Sequence, residues 1–295
     1  MSLFVIINSW FSGPRTALLR FSGAFFVLSA FLAGCENDDA TPARNAGGDG
    51  AGILSPLSEQ GDTSDLFDAE TAGRILDLLQ SGAFEPAESL ALTRLESNPA
   101  DARARFLLGV ARQKQKRYTA GLAAMDEACA SPTSFPERAH AGHFRGWCLF
   151  YLGRPDEAAD AFAAHLQTSP DEADSHFGLG VSRLESGNPE TARASFERAI
   201  ELNDGRADRR RDLAKAWIRL GDTWWETDRP DEARAAYHKG VIRYPDHYEG
   251  WEKLARALDR TGDAVKAERA RNEAQNARRR VGAFVDDSGS GEGDG

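Results

Sequence analysis

Three cysteines in 295 residues, Cys35, Cys129 and Cys148, are too few and too scattered for a disulfide framework or a zinc site built on CxxC spacing. Basic residues are also in deficit, 36 against 46 acidic ones, for a formal net charge of −10. That disfavours a nucleic-acid partner, because binding phosphate needs basic surface to displace counterions. The chain has no phosphate loop, no GxSxG elbow, no dinucleotide fingerprint and no HExxH. His140 and His143 are one helical turn apart without an acidic third ligand at set spacing, so they read as ordinary polar positions and not as metal ligands. Asp156-Glu157 and Asp231-Glu232 read as first turns of helices, where the dipole favours acids, and not as catalytic carboxylate pairs. No catalytic residue, metal or cofactor is therefore expected, and the chain reads as a non-enzyme. A membrane-spanning run is missing too: the uncharged stretch 21–34 has fourteen residues, against the roughly 20 that a spanning helix needs.

Residues 1–34 carry no acid, and Arg15 and Arg20 precede that apolar stretch, the order of a signal peptide. It closes on Leu32-Ala33-Gly34-Cys35, which resembles a bacterial lipobox. The resemblance implies lipidation of Cys35 on its thiol, with the mature chain starting there and tethered to the cell envelope. Glu36, in place of Asp, resembles the arrangement in lipoproteins released to the outer membrane, so the resemblance implies an anchor there with the protein facing the periplasm. Residues 35–67 follow, rich in Asp, Gly, Ala and Ser, an acidic linker expected to be disordered. A soft chain of about 30 residues spans about 30 Å on average. At the other end, residues 285–295 are Asp, Ser, Gly and Glu after Val285, and a disordered tail is expected.

Between these ends the chain repeats itself. Gly146 recurs as Gly180, Gly153 as Gly187, Ala158 as Ala192 and Phe162 as Phe196, four residue types at one spacing of 34. Phased outward, that period gives six units, 68–101, 102–135, 139–172, 173–206, 214–247 and 248–281, with three residues inserted at 136–138 and seven at 207–213. The fifth has Trp217, Leu220, Gly221 and Trp224, then Ala233, Tyr237 and Pro245. This order resembles the tetratricopeptide repeat, two helices per 34 residues. The resemblance implies an all-α solenoid of about six repeats spanning 68–284, a right-handed superhelix with a concave groove. Seven inserted residues are close to two helical turns, so a fifth first helix lengthened at its start keeps its buried face in phase. Gly82, Gly153, Gly187 and Gly262 fall where a helix end wants positive φ. In the sixth unit Arg271 stands where the aromatic belongs, as suits a solvent-facing cap, and Arg278-Arg279-Arg280 reads as a solvated helix end.

In this family the groove is lined from the first helices, and carrying those positions over nominates Phe106, His143, Trp147, Tyr151, Phe177, Val181, Ile218 and Trp225, with Arg103 and Asp174 among the polar ones. Aromatic anchors in a concave surface suit a protein or peptide partner. The resemblance implies a membrane-tethered scaffold that helps assemble an envelope complex, similar in architecture to pilotins. A periplasmic binding module for a small ligand or peptidoglycan fragment is the alternative. The Lys and Asn with which some chaperone-binding members hold a carboxylate are replaced here by Phe106, Val110, His143 and Trp147. Cys129 and Cys148 fall on facing helices of successive units, as a disulfide in an oxidising periplasm or as two buried free thiols.

Overall fold

The computed structural model describes residues 63–289, with side-chain surroundings for 69–282. Cys35, the signal segment and most of the linker lie outside the described residues. Contacts divide the chain into residues 1–73 and 74–295, and the packing below concerns the second part.

Twelve α-helices occur among the described residues and no strand. In order they are α1 (Thr63–Gln80), α2 (Phe84–Ser97), α3 (Ala102–Lys114), α4 (Tyr118–Ala130), α5 (Ala141–Tyr151), α6 (Pro155–Thr168), α7 (Ala173–Glu185), α8 (Pro189–Asn203), α9 (Arg210–Glu226), α10 (Pro230–Arg243), α11 (Tyr248–Arg260) and α12 (Ala264–Gly289). From α3 onward they form five packed hairpins, α1 and α2 are joined by the same kind of turn, and from α2 onward each second helix packs on the first helix of the next hairpin. The first helices also touch in succession, α3 with α5, α5 with α7 and α7 with α9, so they make one continuous layer. The expected all-α helix-turn-helix solenoid is the fold observed.

Local chemistry starts and stops these helices. Pro155, Pro189 and Pro230 occupy first turns, where a missing N–H costs nothing. Acids follow in the same turns, Asp156 and Glu157 in α6 and Asp231 and Glu232 in α10. Every first helix ends in one motif: a residue of positive φ whose N–H bonds three residues back, while the next N–H bonds five back. Those residues are Gly82, Lys116, Gly153, Gly187, Asp228 and Gly262. Four are the glycines expected from sequence; Lys116 (φ 63°) and Asp228 (φ 59°) do the same job with a side chain attached.

Small residues and rings then lock hairpin to hairpin. The fully buried Phe162 ring lies where a Cβ on Gly146 of its own hairpin would meet it at 2.8 Å and one on Gly178 of the next at 2.5 Å. Within their own hairpins Phe196 lies against Gly180 and Tyr237 against Gly221 in the same way, and Met125 takes the ring's place against Gly109. Absence of a side chain is what lets these helices approach.

Both insertions begin with a 3-10 turn, Pro136–His140 and Ala207–Arg209. The second runs into α9, which has 17 residues where α7 has 13, so the extra length is divided between the turn and one added helical turn. Each insertion also reaches back to the second residue of an earlier unit. Glu137 accepts hydrogen bonds from Arg103 at 2.7 and 3.0 Å, and Arg209 lies 3.9 Å from Asp174. Arg138 donates to the Cys129, Ser131 and Thr133 carbonyls, which caps the end of α4.

The terminal helices run past the phased repeats at both ends. Helix α1 starts at Thr63, five residues before Asp68. Helix α12 continues to Gly289, because extending a formed helix costs far less than nucleating one. Its Ala267, Ala270, Ala274 and Ala277 are buried at spacings of three and four. Arg271 faces outward to Asp259 and Glu268. The arginine run is not merely solvated: Arg278 pairs with Glu252 and lies over Tyr248, and Arg280 pairs with Asp246.

Candidate functional site

The first-helix layer carries the positions nominated from sequence, and the structure divides them. Phe106, 1% exposed, is gripped between Phe135 and Phe144 at ring separations of 5.4 and 5.7 Å. Ile218 belongs to the core shared by the last two hairpins, where its Cδ1 fills the space beside Gly240 and Gly250. Val181 is buried as well, and so is His143. These four are therefore packing positions and not surface anchors, and Trp147, 6% exposed, is buried to the same degree as Val181.

Trp147, Tyr151 and Phe177 are brought together. Trp147 stacks with Tyr151 at 5.9 Å, lies 6.4 Å from Phe177, and rests edge-on against Phe162 at 5.2 Å. Tyr151 is 47% exposed and stacks in turn on Tyr118, at 4.7 Å and 15°. Phe150 adds a fourth neighbour to Trp147. Tyr118 starts α4 in the preceding hairpin, so the register of first-helix positions could not have nominated it. Trp225 stands apart on α9, half-buried, with the Arg260 guanidinium 5.1 Å from its ring.

Beneath the aromatic group lies a buried polar joint. Ser175 Oγ is 2.8 Å from Nδ1 of both His143 and His165, which ties α5, α6 and α7 together. A hydroxyl has one proton, so with neutral rings it donates to one Nδ1 and accepts from the other ring's Nδ1–H. Burial holds the His143 pKa well below its usual value, with the neighbouring His165, Lys114 and His140 acting in the same direction. His165 is pushed down to about 4, by burial and then by His140. His140 is lowered by burial as well, against the pull of Glu137.

One step along the layer, Asp174 is pushed up to about 7 by burial and by Asp212, with Arg209 opposing. Glu172 is likewise raised to about 7, by burial and then by Asp174. Lys114 is lowered to about 8 by burial, against the attraction of Asp174. Arg103 and Asp174, polar groove positions by sequence, are thus engaged by the two insertions.

Cys129 and Cys148 are free thiols, and burial pushes Cys148 up to about 12, which leaves almost no thiolate at neutral pH. Among the described residues no group of three His, Cys, Asp or Glu side chains is placed to hold a metal ion. No described helix is long and apolar enough to cross a membrane. The arrangement can present an aromatic and charged surface to a partner.

Solved structures share the architecture. PilF of Pseudomonas aeruginosa superposes with a TM-score of 0.58 at 20% identity, over 71% of this chain and 90% of that one. BtubC from P. vanneervenii gives 0.55 at 16%, over 68% and 90%. YrrB, a TPR protein with an unusual peptide-binding site, gives 0.51 at 17%, over 65% and 96%. At these identities the likeness is one of fold. No curated protein is matched by sequence. The tetratricopeptide repeat model matches residues 73–137, 145–208, 177–239 and 218–280. With that coverage, and with helix pairs stacked as described, the chain belongs to the tetratricopeptide repeat family.

Proposed function

We propose that this protein is a non-enzymatic adaptor, lipidated at Cys35 and held to the bacterial envelope, facing the periplasm, that captures a protein or peptide segment along its first-helix layer and so helps assemble an envelope complex. Repeats of this family generally mediate protein–protein interaction, and a peptide-binding site in YrrB is in keeping with that. The observation that carries the reading is Tyr151, an exposed aromatic standing on Tyr118 and Trp147. A large ring already held by two others loses little rotamer freedom when a partner covers it, which is what an interface anchor needs.

Tyr151→Ala is the direct test. Recovery of partners from detergent-solubilised envelopes should fall at least about tenfold, as for a loss of 1.4 kcal/mol or more at an anchor, while helicity stays unchanged. Undiminished recovery would move the interface elsewhere. In parallel, Cys35→Ser should shift the protein from the membrane fraction to the soluble one, and retention would refute the lipid tether.

A further inference from the structure

A second feature of the first-helix layer lies beyond the aromatic group, where α7, α9 and α11 line an open cleft of about 440 Å³. Leu184 and Trp225 supply its apolar wall. Its floor is a closed network on Asp222. Lys253 Nζ lies 2.7 and 2.6 Å from the two carboxylate oxygens, the buried Tyr237 hydroxyl donates to Oδ1 at 2.9 Å, and Arg219 adds a contact at 3.3 Å. Lys253 and Arg219 are therefore already engaged by an acid.

Two carboxylates of the lining, Glu185 and Glu226, make no ion pair among the described residues. We propose that this cleft is the subsite for one basic side chain, an arginine or lysine, of the segment held along the first-helix layer. The proposal rests on the peptide-capture reading above and adds to it the chemistry of one partner residue. A guanidinium or ammonium entering here would lie between Glu185 and Glu226 and against the Trp225 ring, which attracts cations through its π-face. Trp225 shows that habit with Arg260, which is held in place by Asp228. The Glu226 carboxyl is raised above its usual range, first by desolvation and then by Asp222 and Glu185, with Lys253 and Arg219 opposing. Arg256, exposed at the rim, is the one lining group that would favour the opposite ligand, an acidic side chain.

The test uses the full chain and blocked single amino acids, N-acetylarginine amide and N-acetylaspartate amide, with the Trp225 indole N–H resonance as reporter and Trp225→Phe to assign it. The arginine probe should shift that resonance saturably and the aspartate probe should not. Glu185→Gln with Glu226→Gln should weaken the arginine probe roughly tenfold, as expected for loss of close charge partners, while Glu190→Gln on α8 leaves it unchanged. Saturable binding of the aspartate probe, no response to either probe, or an unaltered affinity in the double variant would each overturn the proposal. Partner recovery separates this from the broader reading: if Tyr151→Ala abolishes capture and the glutamate variants do not, the layer still binds a segment but the basic subsite is wrong.

Discussion

Substituting Gly178 by Ala tests the packing logic at its tightest point. In an ordinary helix interior the change stabilises by about 1 kcal/mol, because alanine loses less backbone freedom than glycine. Here the new methyl would lie 2.5 Å from the Phe162 ring, and the ring cannot retreat because Gly146 already receives it from the other side at 2.8 Å. Overpacking of a filled core costs about 1–3 kcal/mol. A 2.5 Å approach belongs in the upper part of that range, about 2–3 kcal/mol, so with the propensity gain set against it Gly178→Ala should lose about 1–2 kcal/mol, read as a lower urea midpoint at unchanged slope. Phe162→Leu, which removes the ring, should make the same methyl tolerable, so the double variant should be more stable than the sum of the singles by at least about 0.5 kcal/mol. Gly282→Ala supplies the reference, since its methyl would meet no atom within 4 Å on α12 and should raise stability. If Gly178→Ala matched or exceeded the parent, or if the pair were additive, glycine would not be what sets the approach of these helices.

Two more perturbations follow from the same coordinates. Lys116→Gly relieves a left-handed backbone that costs an L-residue about 1–2 kcal/mol, less glycine's entropic penalty of about 0.5–1, so stability should rise by a few tenths to about 1 kcal/mol. Gly153→Ala at the equivalent turn should lower it, and the urea midpoints of both report the sign. His165, 2% exposed with its pKa pushed down to about 4 from 6.5, is neutral in the fold while the unfolded chain takes up a proton below pH 6.5. Its contribution is present above pH 6.5 and lost as pH falls toward 4, a loss of about 3 kcal/mol. Glu172 and Asp174, raised to about 7, act in the opposite sense, since the stability they contribute when protonated fades as pH rises through that value. Comparison with His165→Gln isolates the histidine: between pH 7 and pH 4 the parent should lose about 3 kcal/mol more than the variant, and parallel curves would refute it.

How much of this was legible beforehand depended on whether a residue's role is local. The turn glycines and the ring and glycine partners recur at one spacing, and the period alone exposes them. Lys116 and Asp228 occupy the same turn, but neither is a glycine, so a search for turn glycines passes over them. The register also nominated Phe106, His143, Val181 and Ile218 as groove residues, yet it says nothing of how deeply neighbouring helices sink toward one another. Tyr118 was missed because it reaches its site from a second helix. The insertions were visible as arithmetic, but Glu137 meeting Arg103 and Arg209 meeting Asp174 are contacts across some 34 positions that no local pattern encodes.

The joints between hairpins have a further consequence. Apolar seams built from the same glycine, alanine and ring are nearly interchangeable, so hydrophobic contact alone would let one hairpin stack in another's berth or on a second chain. The polar fastenings are not interchangeable: Glu88 with Arg112 and Arg117, Arg103 with Glu137, Ser175 with two histidines, Asp174 with Arg209, and Asp222 with Lys253 each mark a different joint. A misplaced hairpin would strand a charge or a hydroxyl that its proper neighbour satisfies. The modules are alike in what binds them and distinct in what orders them, so each joint works as an address label.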